Sequence, residues 1–234
     1  MHQVIIPPSV TERVIARRGR EHVFADFDPK TTALVVIDLQ NAFMLAGVAH
    51  SPCAEAIEIV PNVNRLARAM RAAGGAVAWI QTAFTEESLV SWSTMHDMSV
   101  PARTKKRSEA LTPGSLGYAL WSELDALPED LFVEKLRFSA FIEGSSNLES
   151  ILRARGIDTL IITGTVTSVC CESTARDAMM RNFKTTMVTD GNAAATDEEH
   201  NAALIAFYLT FGDIMPTDML VARCQQMTPA EAAV

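Results

Sequence analysis

The sequence lacks the features that would mark a secreted, membrane-bound or nucleic-acid-binding protein. It has only four cysteines in 234 residues, two of them adjacent, which is unlike a disulfide framework. It has no apolar run long enough to span a bilayer and no signal-peptide pattern. Its formal net charge is -8, so the basic excess that nucleic-acid binding needs is missing. We therefore expect a soluble, cytoplasmic protein with free thiols and with no membrane or nucleic-acid partner.

Hydrophobic residues make up 48% of the chain, enough for a sizeable core, and they follow alternating strand and helix patterns. Short apolar runs predict strands at residues 33–39, 76–83, 131–135, 160–163, 184–189 and 211–215. Helical periodicity predicts helices at residues 57–73, 146–155, 169–179 and 197–207. Such alternation is typical of a parallel sheet with helices on both sides. We predict a three-layer α/β/α sandwich with a mainly parallel, roughly six-stranded sheet, in one domain over residues 1–234 with residues 1–30 as an N-terminal arm.

Three ionisable side chains follow predicted strands at their carboxyl ends: Asp38, Lys135 and Cys170. In open parallel sheets the ligand crevice lies at this edge, so residues far apart in the sequence can meet there. Cys170 comes after a strand and a tight connection, near the start of a helix. We expect the helix dipole to lower the pKa of Cys170 and make the thiol a nucleophile.

A thiol beside a carboxylate and an ammonium group can carry out acyl transfer. Asp38 would take the thiol proton, and Lys135 would stabilise the thiolate. The backbone N–H groups of Val166 and Cys170 would stabilise the oxyanion. Asp38 would then protonate the leaving amine and activate the water that releases the intermediate. This scheme needs no metal and no cofactor, and no residues have zinc-ligand spacing.

Three motifs resemble those of the isochorismatase-like cysteine hydrolases, and they occur in that family's order. Residues 164–178 (GTVTSVCCESTARDA) resemble the nucleophile motif. Residues 36–43 (VIDLQNAF) resemble the first-strand motif, and residues 134–141 (EKLRFSAF) resemble the lysine motif. The resemblance covers about residues 32–218 and implies a three-layer α/β/α fold.

The same resemblance implies a triad of Asp38, Lys135 and Cys170, and a cis peptide bond between Thr165 and Val166. Family members that hydrolyse the vinyl ether of isochorismate typically have glycine in place of the cysteine, whereas this chain keeps Cys170. The Asp-x-His metal motif of the nicotinamidases is missing. The sequence is therefore most similar to the carbamoyl and ureido amidohydrolase branch of the family.

Segment 84–112 has no clear period and is predicted to be an irregular lid over the site. Trp92 in this segment would exclude water, and one of Arg103, Lys105 and Arg107 would pair with a substrate carboxylate. The other residues that we assign to the substrate pocket lie near a triad member or a strand end; they are Gln40, Phe43, Trp79, Phe141 and Thr165.

These features predict a cysteine-dependent amidohydrolase that acts on a small amide or ureido compound through a thioester-level intermediate and releases ammonia. Two alternatives remain open: a vinyl-ether hydrolase that retains the cysteine, and a thiol redox or interaction protein that uses Cys170 and Cys171. Adjacent cysteines seldom form a disulfide because the ring would strain the backbone, which counts against the redox alternative. The arm could pack on a second subunit, so we expect a homo-oligomer, either a dimer or a tetramer.

Overall fold

The structure is a computed structural model, and it describes residues 1–228. Six strands form one sheet: β1 (Thr32–Ile37), β2 (Ala76–Thr82), β3 (Leu131–Lys135), β4 (Thr159–Thr165), β5 (Lys184–Ala193) and β6 (Asp213–Met215). Their order across the sheet is β3-β2-β1-β4-β5-β6, and every neighbouring pair is parallel. The predicted α/β fold class is confirmed, with a sheet that is parallel throughout.

Helices connect the strands and cover both faces of the sheet. Those in the described residues are α1 (Pro8–Arg18), α2 (Asn41–Met44), α3 (Glu55–Glu58), α4 (Val60–Ala72), α5 (Glu86–Ser91), α6 (Ser93–Asp97), α7 (Pro101–Leu111), α8 (Leu148–Ala154), α9 (Glu172–Met180), α10 (Asp197–Thr210) and α11 (Thr217–Met227). None of these helices combines the length and the apolar character needed to cross a membrane.

The residues of β1 point alternately to opposite faces of the sheet and reach two separate hydrophobic cores. Leu34 and Val36 pack on one face, in the core that includes α4 and α11. Ala33, Val35 and Ile37 pack on the other face, in the core that includes α1, α8, α9 and α10. A strand that is buried on both faces must be apolar along its length, which explains the continuous apolar run in the sequence.

Segment 84–112 is mostly helical, so the prediction of an irregular segment is wrong. Helix α5 begins with a capping box in which Thr85 and Ser88 exchange hydrogen bonds between side chain and backbone. Helix α7 begins with Pro101 at its first turn. Because α5 and α6 span only six and five residues, they are too short to show a helical period. The start signals, rather than periodicity, identify these helices.

The N-terminal arm that the sequence predicts contains a packed helix, α1. Val10 and Val14 of α1 are buried in the core shared with α10. At the end of α1, the Arg18 guanidinium donates to the carbonyl oxygens of Tyr208 and Gly212, the latter at 2.8 Å. These carbonyls lie at the C-terminal end of α10, where the helix dipole favours a cation. Arg18 thus holds α1 against α10.

Strand β4 passes very close to β1 at Gly164, where the register between β4 and β5 shifts. Gly164 has a φ of 123°, and a Cβ atom at this position would lie 2.0 Å from the carbonyl oxygen of Ile37. Only glycine can therefore occupy the position. This approach brings the carboxyl ends of β1 and β4 side by side, and the candidate site lies at these two ends.

Candidate active site

Asp38 lies directly after β1, in the left-handed region of backbone conformation with a φ of 54°. Strained backbone conformations tend to cluster at functional sites. The Asp38 side chain is fully buried. Thr82, the last residue of β2, donates to Oδ1 of Asp38 twice, from its backbone N–H at 3.2 Å and from its hydroxyl at 2.9 Å. The neighbouring strand therefore fixes the orientation of the carboxylate.

Lys135, the last residue of β3, forms a buried ion pair with Asp38. Its Nζ donates to Oδ2 of Asp38 at 2.8 Å, to the Thr82 hydroxyl at 2.5 Å and to the Arg137 carbonyl oxygen at 3.2 Å. These three acceptors satisfy the three donors of an ammonium group. Burial opposes the charge of Lys135, but the negative charge of Asp38, with a smaller contribution from Cys170, outweighs it and raises the pKa of the lysine. Lys135 is therefore an ammonium group at neutral pH.

Cys170 lies in the connection between β4 and α9. Residues Thr167–Cys171 form a π-helical turn, and the preceding Thr165–Val166 peptide bond is cis. Single π-helical turns are frequent at functional sites. Asp38 and Lys135 both lie close enough to shift the pKa of the Cys170 thiol, Lys135 lowering it and Asp38 raising it. The structure thus brings together the three ionisable residues that follow separate strands in the sequence.

The expectation that the pKa of Cys170 is lowered is wrong. Burial raises the pKa above its ordinary value; Lys135 counteracts this effect, and the carboxylate of Asp38 adds to it. The dipole of α9 does not lower this pKa, because the thiol lies inside the π-helical turn, before α9 begins at Glu172, and is almost fully removed from water. At neutral pH the resting group is therefore a neutral thiol beside a carboxylate.

Cys171 belongs to the core and does not line the cavity at Cys170. It is fully buried, and its Sγ lies 4.0 Å from the carbonyl oxygen of Thr163. Burial raises the pKa of Cys171 well above its ordinary value. The cysteines of the chain are all free and buried; they are Cys53, Cys170, Cys171 and Cys224. The adjacent pair is therefore a pair of separate thiols rather than a disulfide.

A buried histidine in α10 hydrogen-bonds to the π-helical turn. Nδ1 of His200, in α10, lies 2.9 Å from the Thr167 hydroxyl, and Nε2 lies 2.9 Å from the Thr189 carbonyl oxygen. Because a carbonyl oxygen only accepts, Nε2 carries the proton, and Nδ1 of the neutral ring accepts from Thr167. Burial, with the positive charge of His2 as a further cause, lowers the pKa of His200 to about 4.

We predict that His200 makes the stability of the fold depend on pH. Its pKa falls from 6.5 to about 4 on folding, so the unfolded chain binds one more proton between these pH values. The free energy of unfolding should therefore fall below pH 6.5, by roughly 1.4 kcal/mol per pH unit for this proton. A His200→Gln variant keeps a donor and an acceptor but does not titrate, so its slope should be smaller by about one proton. Urea unfolding between pH 7 and pH 5 measures both slopes, and equal slopes would contradict the role of His200.

A cavity of about 190 Å³ reaches Cys170. Phe43 and Trp92, which the sequence assigns to the pocket, line it together with Val166. The further lining residues are mostly apolar or basic; they are His50, Ser51, Thr82, Phe84, Met95, Arg103, Arg107, Leu111, Arg137, Phe138 and Val169. The helical segment 84–112 contributes several of these walls, so it covers the cavity even though it is not irregular.

Trp79 and Phe141 do not line the cavity, contrary to the assignment made from the sequence. Trp79 is fully buried in a core, where its Nε1 donates to Asp130 at 2.8 Å. Phe141 packs in the opposite core against Phe183, with ring centroids 5.4 Å apart. A residue near a strand end in the sequence can point to either face of the sheet. The rings of Trp79 and Phe141 are apolar and pack in the two cores.

Gln40 and Thr165 also do not line the cavity, because their side chains hold the backbone. The Gln40 amide donates to the carbonyl oxygens of Thr82 and Tyr118, and its Oε1 accepts from the Thr82 N–H at 2.8 Å. Thr165 donates its hydroxyl to the carbonyl oxygen of Ala193 at 3.3 Å. Both side chains thus fix the ends of strands that carry the site.

Thr82 joins the carboxylate of Asp38 to the ammonium group of Lys135 and was not predicted from the sequence. A polar residue at the carboxyl end of a strand is the same signal that singled out Asp38, so Thr82 could have been found. His50 and Phe138 were also missed. They lie in connections whose residue patterns give no sign of a pocket.

No metal-binding cluster is found among residues 1–228: no three or more His, Cys, Asp or Glu side chains converge there in a way that could hold an ion. His96 is the histidine of the lid segment. Its ring packs edge-on against Phe84, with centroids 5.5 Å apart, and is separate from any such group.

The chain is similar to a family of hydrolases. Residues 32–219 match the family described as the isochorismatase domain. A ureidoacrylate amidohydrolase from Caulobacter vibrioides is 31% identical over 215 residues, which cover 86% of this chain and 95% of that protein.

Solved structures agree with this assignment. A cysteine hydrolase from Pseudomonas syringae pv. phaseolicola matches with a TM-score of 0.73 at 25% identity, covering 86% of this chain and 96% of that one. An N-carbamoylsarcosine amidase from Thermoplasma acidophilum matches with a TM-score of 0.63 at 25% identity, covering 80% of this chain and 97% of that one. Since the family match spans most of the sequence, the protein belongs to the isochorismatase domain family.

Proposed function

We propose that this protein is a hydrolase of carbon–nitrogen bonds other than peptide bonds, which uses Cys170 to cleave a small amide or ureido compound and release ammonia. The observation that carries the proposal is that the buried ion pair of Asp38 and Lys135 acts on Cys170, which lines a small cavity. Further support comes from similar proteins, a ureidoacrylate amidohydrolase and an N-carbamoylsarcosine amidase.

The first half-reaction forms a covalent intermediate on Cys170. The sulfur attacks the substrate carbonyl carbon while Asp38 takes the thiol proton, so that a carbon–sulfur bond forms. The backbone N–H groups of Val166 and Cys170 stabilise the oxyanion. Asp38 then gives the proton to the leaving nitrogen, the carbon–nitrogen bond breaks, and ammonia leaves.

The second half-reaction releases the intermediate with water. Asp38 takes a proton from the water as its oxygen attacks the thioester-level carbonyl, the carbon–sulfur bond breaks, and the proton returns to the sulfur of Cys170. An amide substrate yields a carboxylic acid, and a ureido substrate yields a carbamic acid. Lys135 stabilises the negative charge that alternates between the carboxylate and the sulfur.

The electrostatics of the site favour transfer of the proton during the attack over a preformed thiolate. Burial raises the pKa of Cys170, so a thiolate beside the charged Asp38 would be costly before substrate binds. In a buried site, interactions between charges are also stronger than in water. The proton can therefore pass directly from sulfur to carboxylate as the new bond forms.

A matched substrate panel tests the proposed function. It comprises N-carbamoyl amino acids, ureidoacrylate-like acids, the uncharged analogues of both, nicotinamide and isochorismate, with ammonia and product acid measured for each. We expect ammonia from one or more of the amide or ureido compounds. Preferred turnover of isochorismate would instead favour the vinyl-ether alternative. Absence of turnover together with reversible oxidation of the thiols by peroxide would favour the redox alternative.

A further inference from the structure

Arg107 is a buried cation whose guanidinium is only partly bonded. It lies in α7, is 6% exposed and lines the same cavity as Cys170. Its Nη2 donates to the Ser99 hydroxyl at 3.4 Å, a long hydrogen bond, and its Nη1 is buried without any hydrogen-bond partner among the described residues. A buried charge without a partner is unfavourable, so it calls for a ligand that supplies the missing acceptor.

The cavity around Arg107 is lined by basic residues and, in the described part of the chain, by no acidic ones. None of its lining residues in the described part of the chain is an aspartate or a glutamate. Burial lowers the pKa of Arg107, and repulsion from Arg103 adds to this. Burial, together with the charges of Arg107, Arg103 and Lys106, lowers the pKa of His50 to about 4. The cavity is thus locally positive in a chain whose formal net charge is -8.

The other cations near the cavity are less suited to bind a ligand. Arg137 donates to the carbonyl oxygens of Leu136 and Ser91 and to the Ser91 hydroxyl, and its guanidinium stacks over the Trp92 ring at 5.2 Å. The Lys105 side chain is 78% exposed and does not line the cavity. Arg107 is therefore the buried cation with free donor capacity.

We propose that Arg107 binds a carboxylate of the substrate while the thiol of Cys170 attacks the carbonyl group, so that the substrate is a small ureido or amide acid. This inference rests on the proposed function, which it narrows to anionic compounds. A guanidinium matches both carboxylate and phosphate. The cavity of about 190 Å³ is smaller than the roughly 300–1,000 Å³ of usual ligand pockets, so the substrate acid must be small. Arg103, which is exposed on the same helix, adds positive charge at the rim.

The test compares acids with their uncharged counterparts in an Arg107→Gln protein. The probes are N-carbamoylglycine and N-carbamoyl-β-alanine, each paired with its carboxamide, and kcat/KM is measured for every pair. The wild type should prefer the acids, and Arg107→Gln should reduce this preference by about 10- to 100-fold, the usual effect of losing a charged hydrogen bond. Most of the change should be in KM, and Arg107→Lys should restore part of it.

Lys105→Gln is the matched control, because it removes the same charge from the same helix at an exposed position outside the cavity. It should leave the preference for acids unchanged. Arg107→Gln should also keep or raise the melting temperature, since it removes an unpartnered buried charge. A lower melting temperature together with an unchanged preference for acids would show a purely structural arginine and overturn the proposal.

Ligand binding to a Cys170→Ala protein distinguishes failure of the Arg107 subsite from failure of the proposed amidohydrolase activity. Calorimetry with the same acids and carboxamides measures the subsite without turnover, and the acids should bind more tightly. Hydrolysis of acids and carboxamides at equal rates would refute the subsite but leave the amidohydrolase. Acid-selective binding without hydrolysis of any compound would refute the amidohydrolase but leave the subsite. Tighter binding of inorganic phosphate than of the acids would refute the choice of carboxylate.

Discussion

Replacing Cys170 with alanine should abolish hydrolysis, lowering kcat by more than about 10⁴-fold. Losses of this order follow when the nucleophile of a covalent mechanism is removed, because the backbone donors and the base cannot form the intermediate without it. Cys170 is the thiol that lines the cavity, next to the carboxylate of Asp38. Ammonia release from the best substrate of the panel measures the loss, and circular dichroism checks that the fold is retained.

Cys171→Ala is the control, since it removes the neighbouring thiol from the core and leaves the cavity intact. It should cost stability by about 1 kcal/mol or more through the small void, but should keep catalysis close to wild type. Peptide mapping after iodoacetamide treatment should place the label on Cys170, which lines the cavity and can pass its proton to Asp38 as the sulfur is alkylated. Label on Cys171, or an active Cys170→Ala protein, would remove Cys170 from the mechanism.

Replacing Asp38 with asparagine should lower kcat by about 10²–10⁴-fold, the usual cost of losing a positioned acid–base group. The shape is kept, but the amide cannot take the thiol proton. The substitution also leaves the buried Lys135 without its charge partner, so the free energy of unfolding should fall as well. Ammonia release and urea unfolding on the same preparation measure the two effects separately.

Asp130→Asn is a control of the same kind, because Asp130 also forms a buried ion pair. Its carboxylate accepts from Arg71 at 2.6 Å and from Trp79 at 2.8 Å, and it does not line the cavity. This variant should lose stability while turnover per folded molecule stays near wild type. If Asp38→Asn were as active per folded molecule as Asp130→Asn, the acid–base role of Asp38 would have to be abandoned.

The sheet and the three ionisable residues at its edge were predictable because both depend on simple patterns. A strand buried on both faces must be continuously apolar, so β1 and β4 stand out in the sequence. The carboxyl ends of parallel strands lie at one edge, which is enough to bring Asp38, Lys135 and Cys170 together. The family motifs led to the same three residues.

The pocket and the ionisation of the thiol were not predictable, because they depend on three-dimensional packing. The side chain of Trp79 enters a core and that of Phe138 enters the cavity, and no local pattern distinguishes the two aromatic residues. The short helices of segment 84–112 show no period. The pKa of Cys170 is dominated by burial, which the sequence does not report, and not by its place near a helix start.

Lys135 lies on an edge strand of the sheet, so activity can be lost before the fold is lost. It ends β3, an edge strand of five residues that pairs within the described sheet only with β2, whereas Asp38 and Cys170 follow the interior strands β1 and β4. Edge elements open locally at lower free energy than the centre of a structure. Detachment of β3 would withdraw the ammonium group from Asp38 while the rest of the sheet stays paired. We therefore expect mild denaturant to reduce activity before it unfolds the rest of the sheet.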